Sequence, residues 1–257
     1  MIENVKDFVS RYAALDEPIP YKELLIYPVI VRDYYKLALY SDVLCVEKNT
    51  IQDLDVIQMN YLDFLFEYLF KDKRLLDEHS TYTFGDFYKE KLVQILILSF
   101  HTDIENIKVY KNKNHNILVI NNIYINAQEF DDIRRIIMYQ NIYNYDDTYV
   151  SPDIKKAMEE YYTVKNQGLT NPELEDKMAE LTAMTGILKK DILNMTYREF
   201  ENVFDASMGR LEYQINRTAE VSGMVKFDKP IRHWIYQRKR NKFEEAFTSY
   251  KEFKKKI

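Results

Sequence analysis

Apolar positions recur along this chain with two different periods, and the change of period marks its organisation. Between Thr50 and Phe70 the residues Leu54, Ile57, Tyr61, Phe64, Leu65, Tyr68 and Leu69 recur every three or four positions, the spacing of one buried helix face. Thr50-Ile-Gln-Asp53 is a capping-type start for that helix. Thr83-Phe-Gly-Asp86 repeats the signal and predicts a second helix reaching Phe100. Leu92, Val93, Ile95, Leu96, Ile97 and Leu98 make it apolar nearly all round, which places it in the middle of a core. The period then switches to two. Ile107 to Lys111 and Ile117 to Ile120 flank the turn material Asn112 to Asn116, and Asn121-Asn122 suits a type I′ turn before Ile123 to Ile125. A meander of three short strands is too small to stand alone, so it must pack on helices. Asn126-Ala-Gln-Glu129 restarts the helical spacing, with Phe130, Ile133, Ile136, Ile137 and Tyr139 as its apolar set.

Upstream, Pro18, Pro20 and Pro28 bias their neighbours toward extended backbone, so Leu24 to Tyr27 and Val29 to Val31 read as short strands or an arm. Asp33 caps a short helix, Tyr34 to Tyr40. The second half reads as purely helical. Ser151-Pro152 is an N-cap followed by a first-turn proline, with Gly168 just past the expected end. Asn171-Pro172 repeats that punctuation for a helix through about Met184, ended by Gly186. Thr196-Tyr-Arg-Glu199 is a capping box for a long helix carrying Phe200, Val203, Phe204, Leu211 and Ile215. Gly223 can end it, and Pro230 can open a C-terminal helix with Ile231, Trp234 and Ile235 on one face. The expected fold class is mainly α with a small antiparallel β-meander (α+β) and a helical C-terminal half. Gln140 to Pro152, rich in Tyr and Asp, is the expected junction and reads as an ordered connector. It divides a mixed helical half with the meander, residues 1–145, from an all-helical half with a basic C-terminal helix, residues 146–257.

Composition narrows the class. The 257 residues include 22 Tyr and 14 Phe but only 5 Gly and 6 Pro, which argues against disorder and against a turn-rich all-β fold. A single Cys excludes a disulfide framework and a Cys-rich metal site, and fits a reducing cytoplasm. The longest near-apolar run, Leu92 to Phe100, is roughly half of the ~20 residues a membrane span needs. Met1 to Ser10 lacks the features of a signal peptide. The chain is expected to be soluble, with no membrane contact. Its net charge of −5 is uneven: Lys226 to Ile257 carries +7 against −12 for the rest. That tail reads either as a solvated helix or as the site of an acidic partner.

Candidate chemistry is sparse. The five glycines stand alone, so no phosphate loop exists. Cys45 lies between Leu44 and Val46 and reads as a small buried apolar residue. His79, His101, His115 and His233 lack ligand spacing, and His115 falls in an expected turn where it would be solvated. Asp131-Asp132 lies in a first helical turn, where negative charge complements the helix dipole. Asp146-Asp147 is one acidic pair, short of the ligands a divalent ion needs. No catalytic, cofactor-binding or metal-ligating residue is assigned, and no cofactor is expected. The residues best suited to a protein partner are Tyr143, Tyr145 and Tyr149 in the connector, with Trp234, Tyr236, Arg238 and Arg240 in the C-terminal segment.

Several stretches also resemble a known group. They are Ile26-Tyr-Pro-Val29 with Val31-Arg-Asp-Tyr-Tyr35, Glu129-Phe-Asp-Asp-Ile-Arg-Arg-Ile-Ile137 with Tyr139-Gln-Asn141, Asn194-Met-Thr-Tyr-Arg-Glu-Phe200, Ser222-Gly-Met224 and Pro230-Ile-Arg-His-Trp234. Together, over roughly Tyr21 to Trp234, they resemble proteins encoded among the tail and baseplate genes of large tailed bacteriophages of Gram-positive bacteria. The nearest description is a tail-assembly chaperone or baseplate-assembly protein. The resemblance implies a non-enzymatic morphogenesis role with other phage tail or baseplate proteins as partners, in the host cytoplasm during assembly or in the virion tail. It carries no catalytic residue. The alternative from another class is a nucleic-acid-binding regulator using the basic tail, against which stand the net negative charge and the lack of a recognisable module.

Overall fold

The computed structural model describes residues 4–48, 51, 53–77, 80–112, 115–142, 145, 147, 152–165, 172–223, 225–227 and 230–236. It is mainly helical, with ten α-helices and five short strands among those residues. The chain divides into two compact units, one formed by Met1–Tyr143 with Thr196–Arg198 and the other by Asn144–Met195 with Glu199–Ile257. Among the described residues no helix is long and apolar enough to cross a membrane.

The first unit begins with helix α1 (Val5–Ala13), whose Val5 and Val9 are fully buried. Strands β1 (Ile19–Tyr21) and β2 (Leu24–Ile26) then form an antiparallel hairpin, pairing Ile19 with Ile26. The extended region is therefore placed one strand earlier than the sequence reading, which expected strands at Leu24 to Tyr27 and Val29 to Val31. Lys22, at a φ of 54°, makes the tight turn that proline bias alone does not reveal. Val31–Asp33 is a turn of 3-10 helix, and α2 spans Tyr34–Tyr40 as expected. Asp33 makes no side-chain cap; it pairs with Lys36 at 2.7 Å instead.

The helix expected from Thr50 to Phe70 is two helices, α3 (Leu54–Gln58) and α4 (Tyr61–Glu67), followed by a 3-10 turn at Leu69–Lys71. Thr50 lies outside the described residues. Asp53 caps α3, accepting from the N–H groups of Asp55 and Val56. Asn60 then restarts the chain as a second cap, accepting from Asp63 N–H at 2.8 Å. Lys48 closes the end of α3 by donating from Nζ to the carbonyls of Ile57 and Met59. A strong cap inside an apolar period breaks the helix without breaking the period.

Helix α5 (Phe84–Phe100) starts where its capping signal lies, with Thr83 Oγ1 accepting from Asp86 N–H at 3.1 Å. Gly85 is needed there because an added Cβ would meet the Phe70 carbonyl oxygen at 2.5 Å. From Lys91 to Phe100 no residue of α5 is exposed. Buried Lys91 is balanced by Asp42 at 2.6 Å. The three-stranded sheet follows as read: β3 (Ile107–Asn112), β4 (His115–Ile120) and β5 (Ile123–Ile125), antiparallel in the order β3-β4-β5. Asn121 and Asn122 have φ of 50° and 65°, as a type I′ turn requires. Helix α6 (Ala127–Asn141) opens with the expected capping box between Asn126 and Glu129.

Helix α6 packs against α1, α4 and β4, and its last six residues, Ile136 to Asn141, are all buried. Gln140 and Asn141, expected to open the connector, instead form this buried end. Gln140 Nε2 donates to the Ile26 carbonyl at 3.3 Å, and Asn141 Oδ1 accepts from Val29 N–H at 2.6 Å. Two amides at the end of α6 thus satisfy backbone groups at the end of β2 and just beyond it. Cys45 departs from expectation as well: the residue is exposed. Its thiol nonetheless turns toward Met138 Sδ, 3.8 Å away, and donates to the Ser41 carbonyl at 3.5 Å. Burial of that sulfur pushes the thiol up to about 11, so it stays protonated at neutral pH.

The second unit is helical: α7 (Pro152–Lys165), α8 (Leu174–Thr185), α9 (Lys189–Ile192) and α10 (Tyr197–Val221), whose first two residues belong to the first unit. Met158, Leu174, Met178, Leu181, Ile192 and Phe200 are its buried apolar residues. Gly186 ends α8 at a φ of 76° and Gly223 follows α10 at 72°, both as their sequence positions imply. The cap of α8 is Glu173, not Asn171-Pro172; Ser151, Gly168 and Asn171 lie outside the described residues. Lys177 pairs with buried Glu201 at 2.9 Å. Among the described residues Pro230 opens no α-helix, and a 3-10 turn, Trp234–Tyr236, follows it.

Candidate functional site

The densest polar constellation lies in the first unit, where α4 faces the β3–β4 hairpin. Asp63 is buried although helix α4 buries Tyr61, Leu62, Phe64 and Leu65 around it. A carboxylate in such company needs donors on every oxygen. Asp63 Oδ1 accepts from Asn116 N–H and from Asn116 Nδ2, both at 2.7 Å. Its Oδ2 accepts from Asn60 Nδ2 and faces His115 Nδ1 at 2.9 Å. Burial pushes the Asp63 carboxyl up, but the hydrogen bonds from His115, Asn116 and Asn60 outweigh it and hold the group below its ordinary value. One turn later Glu67 Oε1 takes Lys111 at 2.6 Å and Oε2 takes Lys71. Those lysines, with Asn116 Nδ2 at 3.4 Å, pull Glu67 down to about 2. The two acids therefore act as ionised anchors that clamp the hairpin onto α4, and neither is poised for proton transfer.

Beside this clamp opens a cavity of about 510 Å³. Asn60, Asn112, His115 and Asn116 line one side and Asn126 and Gln128 the start of α6, with Ile117 and Ala127 as apolar patches. His115, expected to be merely solvated, lies at the head of β4 and joins the Asp63 network. Sequence reasoning missed this site. The available signals were Asp63 inside an apolar helical run and Asp63 and Glu67 one turn apart, but their partners lie some fifty residues away.

Three of the seven residues expected to bind a partner are among the described residues. Tyr145 is half-buried, Trp234 is half-buried and Tyr236 is 82% exposed; Tyr143, Tyr149, Arg238 and Arg240 lie outside the described residues. Within the second unit Trp234 sits against Gly209, where an added Cβ would come within 3.1 Å of Trp234 Cβ, and the His233 ring lies tilted against Tyr213 with centroids 4.9 Å apart. Gly209 and Tyr213 share one side of α10. Along the opposite side run Phe204, Met208, Leu211 and Ile215, one per turn. The sequence reading named Leu211 and Ile215 only as residues of the long helix; they are 37% and 59% exposed, and Met208 is 40% exposed. Helical spacing identifies an apolar face but does not say that the protein's own chain covers it.

Asp131 pairs with Arg134 at 3.1 Å, and buried Asp132 accepts from Tyr21 Oη at 3.1 Å. Asp146 lies outside the described residues. Among the described residues no group of three or more His, Cys, Asp or Glu side chains is placed to hold a metal ion. Compared with protein-family models, with curated proteins and with solved structures, the chain finds no significant match in any of the three.

Proposed function

We propose that this chain is a non-enzymatic protein-binding factor of phage tail or baseplate assembly, and that it holds its partner on the apolar side of α10. The observation that carries the binding reading is the exposed row Met208, Leu211 and Ile215, continuous with half-buried Phe204. Three large apolar side chains in line on one helix are the pattern by which a helix docks onto another protein. The described C-terminal segment packs on the Gly209–Tyr213 side and leaves the row open. Ile235 and Tyr236 add further exposed apolar area in the same unit. The assembly role rests on the sequence resemblance, and the clamped acids of the first unit support a structural use of its polar groups.

Co-expression with tail and baseplate proteins encoded beside it, followed by co-purification, tests the reading. One of them is expected to co-purify with the native chain and to be lost with the double variant Leu211→Gln, Ile215→Gln, whose thermal unfolding should match the native chain. Association with none of them, or retention by the variant, would defeat it. Binding of DNA or RNA that weakens steeply with salt would instead favour the nucleic-acid reading.

A further inference from the structure

We infer that the apolar row of α10 is the docking site of this chain's own C-terminal segment, residues 237–257, which covers the row until a partner displaces it. This regulation rests on the reading of α10 as a protein-docking surface.

The row itself describes its occupant. Phe204, Met208, Leu211 and Ile215 follow one another at spacings of four, three and four, the repeat of a seam that receives a second helix. At ~1.5 Å of rise per residue the seam is about 16 Å long. Asp205 and Glu212, both exposed, stand seven residues apart along one flank of it. An apolar stripe with cations beside it is the complement of such a surface.

Residues 237–257 lie outside the described residues, and their sequence has that form. Phe243, Ala246, Tyr250, Phe253 and Ile257 recur at spacings of three and four, with Phe247 beside them. The same segment carries eight Lys or Arg against three Glu, a net charge of +5.

The chain also delivers this segment to the right place. Trp234 packs on Gly209 of α10, the neighbour of Met208 in sequence, and Tyr236 is the last described residue. The six residues 237–242 that follow reach roughly 20 Å when extended, enough to pass around a helix about 10–12 Å across. The shorter way from Gly209 to the row runs past Asp205 and Glu212. Arg238, Lys239, Arg240 and Lys242 fall in that connecting stretch, so its charges meet the acidic flank. Tethering holds the segment near the row at an effective concentration on the order of mM. A weak contact then suffices to close the row, and a free partner has to outcompete it.

The test places a photocrosslinker in the full chain through Phe247→p-benzoylphenylalanine and locates its products by mass spectrometry. A crosslink within one chain to residues 204–215 is expected, with a yield unchanged on dilution. The yield should fall about fivefold or more when Leu211→Gln, Ile215→Gln or Asp205→Lys, Glu212→Lys is added. Thermal unfolding should stay as it was, because releasing the tail is a local opening. No crosslink, crosslinks to other parts of the chain, crosslinks between two chains, or a yield indifferent to both double variants would each overturn the inference. Where a tail protein co-purifies, its presence should abolish the crosslink; persistence in that complex would overturn the displacement. Failure of every tail protein to bind would defeat the assembly reading and leave the crosslink in place, so the two fail separately.

Discussion

Glu67 shows how one side chain's surroundings become a property of the fold. Its carboxyl is held at about 2 by Lys111 and Lys71, well below the ordinary ~4.3 that it regains on unfolding. The folded state therefore binds fewer protons than the unfolded state in this window, and stability falls as pH drops through it. Asp63, also held below its ordinary value, acts in the same direction. The melting temperature of the native chain is expected to be level above about pH 5 and to fall toward pH 2. In Glu67→Gln that acid limb should be shallower because the neutral-pH melting temperature is lowered toward the acid value, and only modestly, since both lysines are more than half exposed. Thermal scans at stepped pH, monitored by circular dichroism, measure both slopes. None of this was legible in the sequence. Nothing near Asp63 and Glu67 in the chain singles them out, since the Asn116 and Lys111 that give them meaning lie across the hairpin.

At the scale of elements the sequence is far more informative, because caps and turns are made by neighbours. Thr83, Asn126, Gly186 and Gly223 each stand where the backbone needs them. The Asn121-Asn122 turn gives this a measurable form. With φ of 50° and 65°, both positions lie in the left-handed region, which costs a non-glycine residue roughly 1–2 kcal/mol less a polar allowance for Asn. Asn122→Gly is expected to leave stability equal or slightly raised, and Asn122→Val to lower it by about 1–2 kcal/mol. Urea unfolding of the two variants side by side checks the difference. Where the element reading failed, it failed in two physical ways. Asn60 capped a new helix inside an unbroken apolar period, and Lys22 turned a hairpin that proline bias had placed too late.

The whole molecule is not assembled in sequence order. Thr196–Arg198 belongs to the first unit although it follows three helices of the second. Tyr197 N–H donates to the Val29 carbonyl at 2.8 Å and Thr196 Oγ1 donates to Asp16 at 2.7 Å. Arg198 reaches the carbonyl of Tyr139 in the buried end of α6. The capping-type Thr196-Tyr-Arg-Glu199 thus does more than start α10; it returns the chain to its first unit. Arg198→Ala is expected to cost about 1–2 kcal/mol, since a charged donor leaves a carbonyl at the end of α6. Hydrogen exchange should then quicken at the last turn of α6, roughly sixty residues earlier in the chain, while α8 exchanges as before. Unchanged exchange at α6 would show that this return is not needed.

By itself the sequence determined what is local: the mainly helical class, the three-stranded meander, most helix starts and the two terminal glycines. Each depends on residues within about four positions, whose backbone groups must be satisfied wherever the segment ends up. Only the tertiary structure decided which apolar faces are covered. The same spacing that buries Phe200 leaves Leu211 and Ile215 exposed, because burial belongs to a residue's neighbours and not to its own side chain. The amide-lined cavity has the same origin. Asn60, Asn112, Asn116, Asn126 and Gln128 are ordinary cap, turn and strand residues in sequence, and line one cavity only where α4, the hairpin and α6 converge.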